Sequence, residues 1–331
     1  MLKIGTQKLD SPLILAPMAG ISDLPYRMIN RSMGCGFAFT EMLSATALAY
    51  RSKGTMQKLT GLEKDQPLAV QVVGANMDIM KQALEVLADY PYATIDLNAA
   101  CPVTKVAGTG KGAGLLKEPL KLKKLLKMIV KNTDVPVTVK IRSGWDEGSV
   151  NAVDVALHAE DAGVSAVIIH GRTRAQRYKG HVDYNIIREV KEAIAIPVIA
   201  SGDALRPDLI KRLFDETGCD GVALARGALG NPWLFQQATE YIKNGTEPTP
   251  PDIRERMRVM TEHLAFMVSS NGEKLGVLQF RKFFGWYTKG LPVKELKVMA
   301  FHASTHDEMQ DKINELETWI HREVSKQESS S

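Results

Sequence analysis

The chain has 331 residues, of which 44% are hydrophobic and 24% charged, and its formal net charge is +4. These proportions are ordinary for a soluble globular enzyme, and the length allows one large domain with a small one, or two medium domains. The best apolar run, residues 12–19, is far too short to span a membrane. The weakly basic charge permits an acidic partner such as nucleic acid but does not demonstrate one.

Cysteine usage and the first residues bear on the compartment. Three cysteines, an odd number spread widely along the chain, argue against a disulfide framework and suit the reducing cytosol. Residues 1–5 lack the basic start and apolar core of a signal peptide, so we expect a cytoplasmic protein. No Cys-x-x-Cys pair is present, and we expect no dedicated metal site.

Eight short runs rich in apolar and β-branched residues predict strands. The runs are continuous rather than alternating, which is typical of strands buried on both faces. In chain order they are residues 13–17, 37–40, 68–73, 93–97, 137–141, 166–170, 198–201 and 222–225. Segments with helical spacing lie between most of them, among them residues 77–89, 119–131, 150–162 and 184–193. Alternating strands and helices predict a parallel sheet.

A weak internal repeat supports a regular arrangement of these units. The segment Asp134-Val-Pro-Val-Thr-Val resembles Ala195-Ile-Pro-Val-Ile-Ala, and each is followed by a unit with glycine just before the next strand. Eight units by residue 230 or so fit a (β/α)8 TIM barrel, which typically takes about 250 residues. A doubly wound sheet is the alternative, but no Gly-x-Gly-x-x-Gly follows the first strand. We therefore predict an α/β fold built on a TIM barrel.

The composition changes near the end of the barrel region. Residues 243–251 form a polar, proline-rich connector, and no strand is evident beyond it. Thr305 and Glu308 have the spacing of a helix capping box. We predict a catalytic barrel over residues 1–243, a small all-helical C-terminal domain over residues 251–326, and a disordered tail over residues 327–331.

The most informative motif is Thr94-Ile-Asp-Leu-Asn98-Ala-Ala-Cys101-Pro102. It places an asparagine and a scarce cysteine directly after a predicted strand, and Pro102 fixes the local backbone. A lone cysteine is often a small buried hydrophobe, which is the alternative for Cys101.

The active site of a TIM barrel lies at the C-terminal ends of its strands. Polar side chains at those ends predict a site for a polar, anionic ligand. Lys140 is expensive to bury unless it holds an anion or pairs with a carboxylate, whereas His170 by itself fits a satisfied core histidine equally well. Glycine N–H groups in the last two loops suit a phosphate. The residues at the strand ends are Met18, Ala19, Glu41, Gln71, Asn98, Cys101, Lys140, Arg142, His170, Arg172, Arg174, Ser201, Gly202, Asp203, Arg226 and Gly227.

Seven motifs occur in one order along the chain and together resemble the tRNA-dihydrouridine synthase family, closest to its bacterial B-type. The resemblance covers essentially the whole chain, including the helical C-terminal region. The motifs are Ala16-Pro-Met-Ala-Gly20-Ile-Ser-Asp23, Gln71-Val-Val-Gly74, Asp96-Leu-Asn98-x-x-Cys101-Pro102, Val139-Lys140-Ile-Arg142, His170-Gly-Arg-Thr173, Gly202-Asp203 and Ala225-Arg226-Gly227.

The resemblance implies an FMN-dependent enzyme that reduces the C5–C6 double bond of a uridine in tRNA, with NADPH as electron donor. It implies a hydride from reduced FMN to C6 and a proton from Cys101 to C5, and B-type likeness points to position 17 in the D-loop. A thiol is mostly protonated at neutral pH, so it can supply that proton without activation. Lys140 can stabilise the negative charge that develops. Carried over by position, the residues that hold FMN would be Pro17, Met18, Ala19, Gln71, Lys140, His170, Ser201, Gly202, Asp203, Ala225 and Arg226.

A folded tRNA also needs its own contacts. A barrel mouth cannot admit a stacked base, so the target uridine has to be extruded, while phosphate contacts position the RNA. We predict substrate contacts from Asn98, Arg142, Arg172, Arg281 and Lys282, and expect a monomer. Two basic groups are wider candidates, and for both a solvated surface is the alternative. They are Lys121, Lys123, Lys124 and Lys127 on one helix, and Arg281, Lys282, Lys289, Lys294 and Lys297 beside Phe283, Trp286 and Tyr287.

Two positions depart from the family pattern. Ala100 stands where the family usually has glycine before the cysteine, and Ser201 where it usually has asparagine. A methyl group at position 100 would crowd the flavin or tilt the thiol if that backbone needs positive φ. Because Cys101 is retained, we predict an active enzyme with looser flavin binding.

Two other functions remain open from the sequence. A dihydroorotate-dehydrogenase-like flavin enzyme also uses Asn-x-x-Cys-Pro near a pyrimidine, but its cysteine removes a C5 proton. A non-catalytic RNA-binding relative is the second alternative, supported by Ala100 and Ser201 alone. The retention of Cys101, Lys140 and His170 argues against it.

Overall fold

The computed structural model describes residues 2–328. Its strands are β1 Leu2–Ile4, β2 Gln7–Leu9, β3 Leu13–Leu15, β4 Phe37–Phe39, β5 Leu43–Ser44, β6 Leu68–Val73, β7 Thr94–Asn98, β8 Val137–Arg142, β9 Ala166–His170, β10 Val198–Ser201 and β11 Gly221–Leu224. Its α-helices are α1 Leu24–Ser32, α2 Ala45–Ala49, α3 Lys53–Gln57, α4 Met77–Leu87, α5 Thr104–Ala107, α6 Pro119–Lys131, α7 Ala152–Asp161, α8 Tyr184–Ala193, α9 Pro207–Thr217, α10 Leu234–Asn244, α11 Ile253–Asn271, α12 Glu273–Tyr287, α13 Lys294–Ala300, α14 His306–Asn314 and α15 Leu316–Glu328. Short 3-10 helices cover Leu62–Lys64, Gly112–Lys117, Glu147–Ser149 and Arg226–Ala228.

Eight parallel strands close into a barrel. The order is β4-β3-β11-β10-β9-β8-β7-β6, and the pairing of β4 with β6 completes the ring, while the two residues of β5 extend the edge of β6. Every predicted strand is present, with ends that differ by two residues or fewer. The predicted TIM barrel with a helical C-terminal region is confirmed.

Side-chain caps set where several helices begin. The carboxylates of Asp23, Asp183 and Asp252 accept backbone N–H groups of the first turns of α1, α8 and α11. Helix α9 is capped at its C-terminal end by Gly218, which adopts a left-handed conformation with φ +65° that only glycine adopts at no cost. The predicted capping box of Thr305 and Glu308 opens α14.

An N-terminal hairpin, which the sequence patterns did not predict, covers the N-terminal end of the barrel. Strands β1 and β2 pair antiparallel, with Leu2 opposite Leu9. Leu2, Ile4 and Leu9 are buried and join a second core cluster with Ile14 and Phe37 inside the barrel. The hairpin strands are three residues each, too short for alternation to stand out from the sequence.

Helices α11–α15 form one group that packs against the barrel. Tyr26 of α1 stacks on Phe283 of α12, with ring centroids 5.5 Å apart. Gly230 approaches the backbone of Trp286 so closely that a Cβ would lie 2.3 Å from its carbonyl carbon. The barrel and the helical region therefore share one packed contact surface. Within residues 2–328, the structure contains no helix with the length and apolarity that crossing a membrane requires.

The end of the chain differs in part from the predicted tail. Helix α15 continues through residues 327 and 328, and residues 329–331 lie outside the described residues.

Candidate active site

A cavity of about 490 Å³ opens at the C-terminal ends of the barrel strands. All eleven residues predicted to hold a cofactor line it, together with Asn98, Cys101 and Arg142. The eleven are Pro17, Met18, Ala19, Gln71, Lys140, His170, Ser201, Gly202, Asp203, Ala225 and Arg226. The site is thus assembled from residues more than 200 positions apart because the strand ends converge at one rim.

Two polar side chains at the floor of this cavity lack protein partners. Lys140 is 9% exposed, and its ammonium group has no hydrogen-bond or ion-pair partner in the described part of the chain. His170 is 7% exposed, and its Nε2 atom is buried without a partner. Buried polar atoms normally find partners, so both groups fit a ligand that supplies them.

Burial controls the charge states of these two groups. Burial lowers the pKa of Lys140 to about 8, helped by the Arg142 guanidinium and opposed by the Asp96 carboxylate. Burial, together with the positive charge of Lys140, lowers the pKa of His170 well below its usual value. At neutral pH the cavity floor therefore carries an ammonium donor beside a neutral imidazole.

The loop after β10 forms a cradle for an anion. Gly202 has φ +113°, and a Cβ there would lie 2.7 Å from Val182 and 2.8 Å from the ring of His170. Asp203 also has positive φ, +51°, which is uncommon for a residue with a side chain. Within residues 2–328, the backbone N–H groups of Gly202 and Asp203 donate to no acceptor. These free donors suit a phosphate group.

Asp203 is fixed by two arginines. Its carboxylate accepts hydrogen bonds from Arg172 at 2.5 and 2.9 Å and from Arg226 at 3.1 Å. Arg172 is buried, donates also to the carbonyls of Lys179 and Gly180, and does not line the cavity. The structure therefore places Arg172 behind the cradle, whereas Arg226 lies at the cavity wall.

Cys101 lies on the loop after β7, at the edge of the cavity. Its backbone N–H donates to Asn98 Oδ1 at 2.8 Å, and its carbonyl accepts the N–H of Ala113 at 3.1 Å. The other two cysteines, Cys35 and Cys219, are buried, and burial raises the pKa of Cys35 to about 12. Cys101 is therefore the accessible thiol among the described residues.

The first departure from the family pattern carries no backbone strain. Within residues 2–328, side-chain-bearing residues with positive φ are Arg51, Arg177 and Asp203, so Ala100 is not among them. The N–H of Ala100 donates to Asn98 Oδ1 at 3.1 Å. Ala100 lines the cavity.

The remaining predicted substrate contacts are engaged with protein carbonyls. The Arg142 guanidinium donates to the carbonyls of Ala100, Thr173 and Arg177 at 2.8–3.0 Å. Arg281 donates twice to the carbonyl of Ala303 and does not line the cavity.

Lys282 of α12 reaches the barrel instead of solvent. Its ammonium group donates to the carbonyl of Gly20, in the loop after β3, and its surroundings include Asp23 and Glu41. Glu41 accepts the N–H of the same Gly20 at 2.6 Å. A side chain from the helical region therefore holds the loop that forms one wall of the cavity.

The two wider groups of candidate RNA contacts, the lysines of α6 and the basic and aromatic residues of the helical region, are partly engaged within the protein. Lys121 pairs with Glu118, and Lys123 and Lys127 pair with Asp161, which indicates an ordinary solvated helix surface. Phe283 and Tyr287 are buried in the helical core and cannot stack on bases.

Tyr178 is a cavity residue that the motifs did not single out. It is 55% exposed, and its ring centroid lies 4.8 Å from the Arg226 guanidinium carbon and 6.3 Å from the His170 ring. An aromatic residue within an arginine-rich loop is the only sequence signal that marks it.

No group of three or more His, Cys, Asp or Glu side chains within residues 2–328 is placed to hold a metal ion. His302 and His306 are spaced like a metal-binding pair. However, His302 follows α13, whereas His306 begins α14 and contacts Asp307.

Residues 14–324 match the family model described as "Dihydrouridine synthase (Dus)". Two similar proteins are the tRNA-dihydrouridine synthase B of Pseudomonas aeruginosa, 36% identical over 292 residues, and that of Vibrio parahaemolyticus, 38% identical over 288 residues. The first alignment covers 88% of this chain and 88% of the relative, and the second covers 87% and 89%.

Two solved structures share the barrel. The structure of histamine dehydrogenase from Rhizobium sp. 4-9 matches with a TM-score of 0.58 at 11% identity, over 80% of this chain and 50% of that one. A 2-naphthoyl-CoA reductase matches with a TM-score of 0.58 at 12% identity, over 72% and 51%. At these identities the likeness concerns the fold alone.

Proposed function

Because the chain belongs to the dihydrouridine synthase family, we propose that it is an FMN-dependent oxidoreductase that reduces the C5–C6 double bond of a uridine in tRNA. One observation carries the proposal. The unpartnered ammonium group of Lys140 and the unpartnered Nε2 of His170 face the same cavity as the accessible thiol of Cys101. That combination provides polar donors for a cofactor and a proton donor for a substrate.

The residues present fit FMN. Lys140 and His170 would meet polar atoms of the ring system, and the free N–H groups of Gly202 and Asp203, with Arg226, would hold the phosphate. When bound, FMN supplies the hydride that the reaction adds to uracil C6. Apolar contacts to FMN would come from the other predicted cofactor residues. These are Pro17, Met18, Ala19, and Ala225, with Ser201 and Gln71 as polar neighbours.

Cys101 would donate the proton. Its Sγ would give a proton to uracil C5 as negative charge develops toward the C4 carbonyl. Asn98 Oδ1 accepts the backbone N–H groups of Ala100 and Cys101, and these two hydrogen bonds set where the thiol lies. Lys140 would stabilise the developing charge through its ammonium group, which is largely buried.

The two parts of the chain would divide the work. We assign residues 1–243 to catalysis and residues 251–326 to tRNA binding. A second cavity of about 610 Å³ lies where the two meet. Four cationic side chains, Arg206, Arg226, Arg256 and Lys289, and two acidic ones, Asp208 and Glu247, line it. Cationic side chains from both parts suit an RNA backbone that passes the cavity mouth. We further propose NADPH as the electron donor, position 17 of the D-loop as the target, and a cytoplasmic monomer.

The test is a reaction with defined components. Purified protein is assayed for bound flavin by its visible absorbance, then incubated with NADPH and an unmodified tRNA transcript. Mass spectrometry then maps dihydrouridine along the RNA. We expect bound FMN and one modified position, 17. Protein that oxidises dihydroorotate without any tRNA requirement, or that binds no FMN, would overturn the proposal.

Replacing Gly202 by alanine is expected to weaken FMN binding by about tenfold, because the added Cβ clashes with Val182 and with the His170 ring. Titration of flavin fluorescence measures the change in Kd. Gly218→Ala is the matched control, since Gly218 also has positive φ, +65°, but open space around it. Equal Kd values for Gly202→Ala and Gly218→Ala would contradict the assignment of a cofactor cradle at Gly202.

A further inference from the structure

We propose that Asp96 is a positioning residue for Cys101, acting through the side-chain amides of Gln71 and Asn98. The inference rests on the proposed function, in which Cys101 delivers a proton to the substrate. Asp96 lies inside the barrel on β7, is fully buried, and does not line the cavity. It therefore acts through other residues and touches no substrate.

A continuous chain of hydrogen bonds connects Asp96 with the Cys101 loop. Gln71 Nε2 donates to Asp96 Oδ2 at 2.7 Å, and Asn98 Nδ2 donates to Gln71 Oε1 at 2.9 Å. Asn98 Oδ1 then accepts the N–H groups of Ala100 at 3.1 Å and Cys101 at 2.8 Å. The strand register explains the arrangement, because Gln71 of β6 stands directly opposite Asp96.

The carboxylate determines the direction of this chain. An ionised carboxylate only accepts hydrogen bonds, so the amide of Gln71 has to turn its NH2 group toward Asp96. The carbonyl oxygen of Gln71 then faces Asn98, so Asn98 has to donate a hydrogen bond from its own NH2 group. The carbonyl oxygen of Asn98 is left for the two loop N–H groups. If the amide of Gln71 turned over, Asn98 would follow, and its NH2 group would face two other donors.

The other oxygen of Asp96 is held from the opposite side. Thr138 of β8 pairs with Asp96 in the sheet and donates its hydroxyl to Oδ1 at 2.7 Å. Lys140 of β8 stands opposite Asn98, and it also faces Arg142 and His170. Asp96 is the acidic group among these neighbours. One buried carboxylate therefore orients the thiol loop and balances the ammonium group of the cavity floor.

The test compares Asp96→Asn with a matched control on the same strand. The control is Thr94→Val. Thr94 is also fully buried, and its hydroxyl has no hydrogen-bond partner in the described residues, so this variant leaves the hydrogen bonds between Asp96 and the Cys101 loop intact. The first readout is the alkylation rate of the purified protein with iodoacetamide at matched FMN content. Cys35 and Cys219 are buried, so the rate reports on Cys101.

In Asp96→Asn the NH2 group of the new side chain can face either Gln71 or Thr138. The donor and acceptor directions of the hydrogen bonds through Gln71 and Asn98 are then no longer fixed. We expect the alkylation rate to rise about tenfold, because the Cys101 loop loses its acceptor for part of the time. Burial raises the pKa of Asp96 to about 6 and the Thr138 hydrogen bond lowers it, so the variants are compared at pH 8, where the carboxylate of Thr138→Val stays ionised. There we expect a rate within about twofold of wild type. The double variant Asp96→Asn/Thr138→Val removes the Thr138 hydroxyl as an acceptor for the new NH2 group. Its alkylation rate is expected to exceed that of Asp96→Asn alone.

Turnover on tRNA provides a second readout. We expect kcat of Asp96→Asn to fall about 100-fold with little change in KM, since a proton donor displaced by about 1 Å costs that much. The pH above which activity declines is expected to move lower in Asp96→Asn and to stay in place in Thr138→Val, because only the first loses the negative charge near Lys140.

The outcomes separate the two proposals. Wild-type protein that fails to reduce uridine in tRNA would contradict the proposed function, while the alkylation rates would still test Asp96. Equal alkylation rates for Asp96→Asn and Thr94→Val would overturn the role of Asp96. So would a Thr138→Val variant as reactive as Asp96→Asn, because that result would indicate general loosening of the barrel.

Discussion

Replacing Cys101 by alanine is expected to lower dihydrouridine formation in tRNA by about 10²- to 10⁴-fold, the usual contribution of a positioned general acid. FMN content is expected to stay unchanged, because Cys101 lies at the edge of the cavity and the polar donors for the cofactor are Lys140, His170 and the loop after β10. The measurement is single-turnover conversion of a tRNA transcript by the pre-reduced protein, followed by mass spectrometry of the RNA.

Two further variants make this result specific. Cys219→Ala removes a buried thiol far from the cavity and is expected to retain normal turnover. Cys101→Ser keeps a hydroxyl in place of the thiol, and because a hydroxyl is a much weaker acid, we expect it to be nearly as slow as Cys101→Ala. Full turnover by Cys101→Ala with a normal product would show that another group supplies the proton.

Replacing Lys140 by methionine is expected to lower kcat/KM by about 10²- to 10³-fold, the loss typical of one removed donor at a developing charge. Methionine has a similar length and fills the same space, but it carries no charge and no N–H group. FMN affinity is expected to fall as well, since the ammonium group faces the cavity without another partner. Flavin titration and steady-state kinetics on tRNA separate the two effects.

The pH dependence follows from the same residue. Burial lowers the pKa of Lys140 to about 8, so the ammonium form predominates below this pH and is lost above it. Turnover that needs the ammonium group is therefore expected to decline as the pH rises through 8. In Lys140→Met the decline is expected to move to higher pH, where the thiol general acid is itself lost. Lys124→Met, an exposed lysine of α6, is the matched control and should preserve both rate and pH profile. A Lys140→Met variant with the wild-type pH profile would contradict the assignment.

The sequence was sufficient to predict the barrel and most of its rim. Strands buried on both faces are continuous apolar runs, so all eight were recognisable within two residues of their ends. Since parallel strand ends converge, the residues that follow them predicted most of the cavity lining, although Glu41, Arg172, Arg174 and Gly227 of that set lie outside it. The N-terminal hairpin was missed because each of its two three-residue strands has an exposed residue in the middle, so neither forms a continuous apolar run.

The sequence could not determine the hydrogen-bond partners of the polar side chains. Gln71 was predicted to hold the cofactor, and it lines the cavity, but only the structure shows that its amide also donates to Asp96 and accepts from Asn98. The RNA contact predicted for Lys282 stays a prediction, and the structure adds that its ammonium group donates to the carbonyl of Gly20 in the barrel.

The sequence by itself determined the barrel, the position of the cavity and the presence of Cys101, Lys140 and His170 in its lining. Periodicity and strand order depend on local residue type, so one chain suffices to find them. Only the tertiary structure decided that Phe283 and Tyr287 are core residues and that Arg172 lies behind Asp203. Burial and pairing depend on the distances between segments far apart in the chain, and no local pattern encodes those distances.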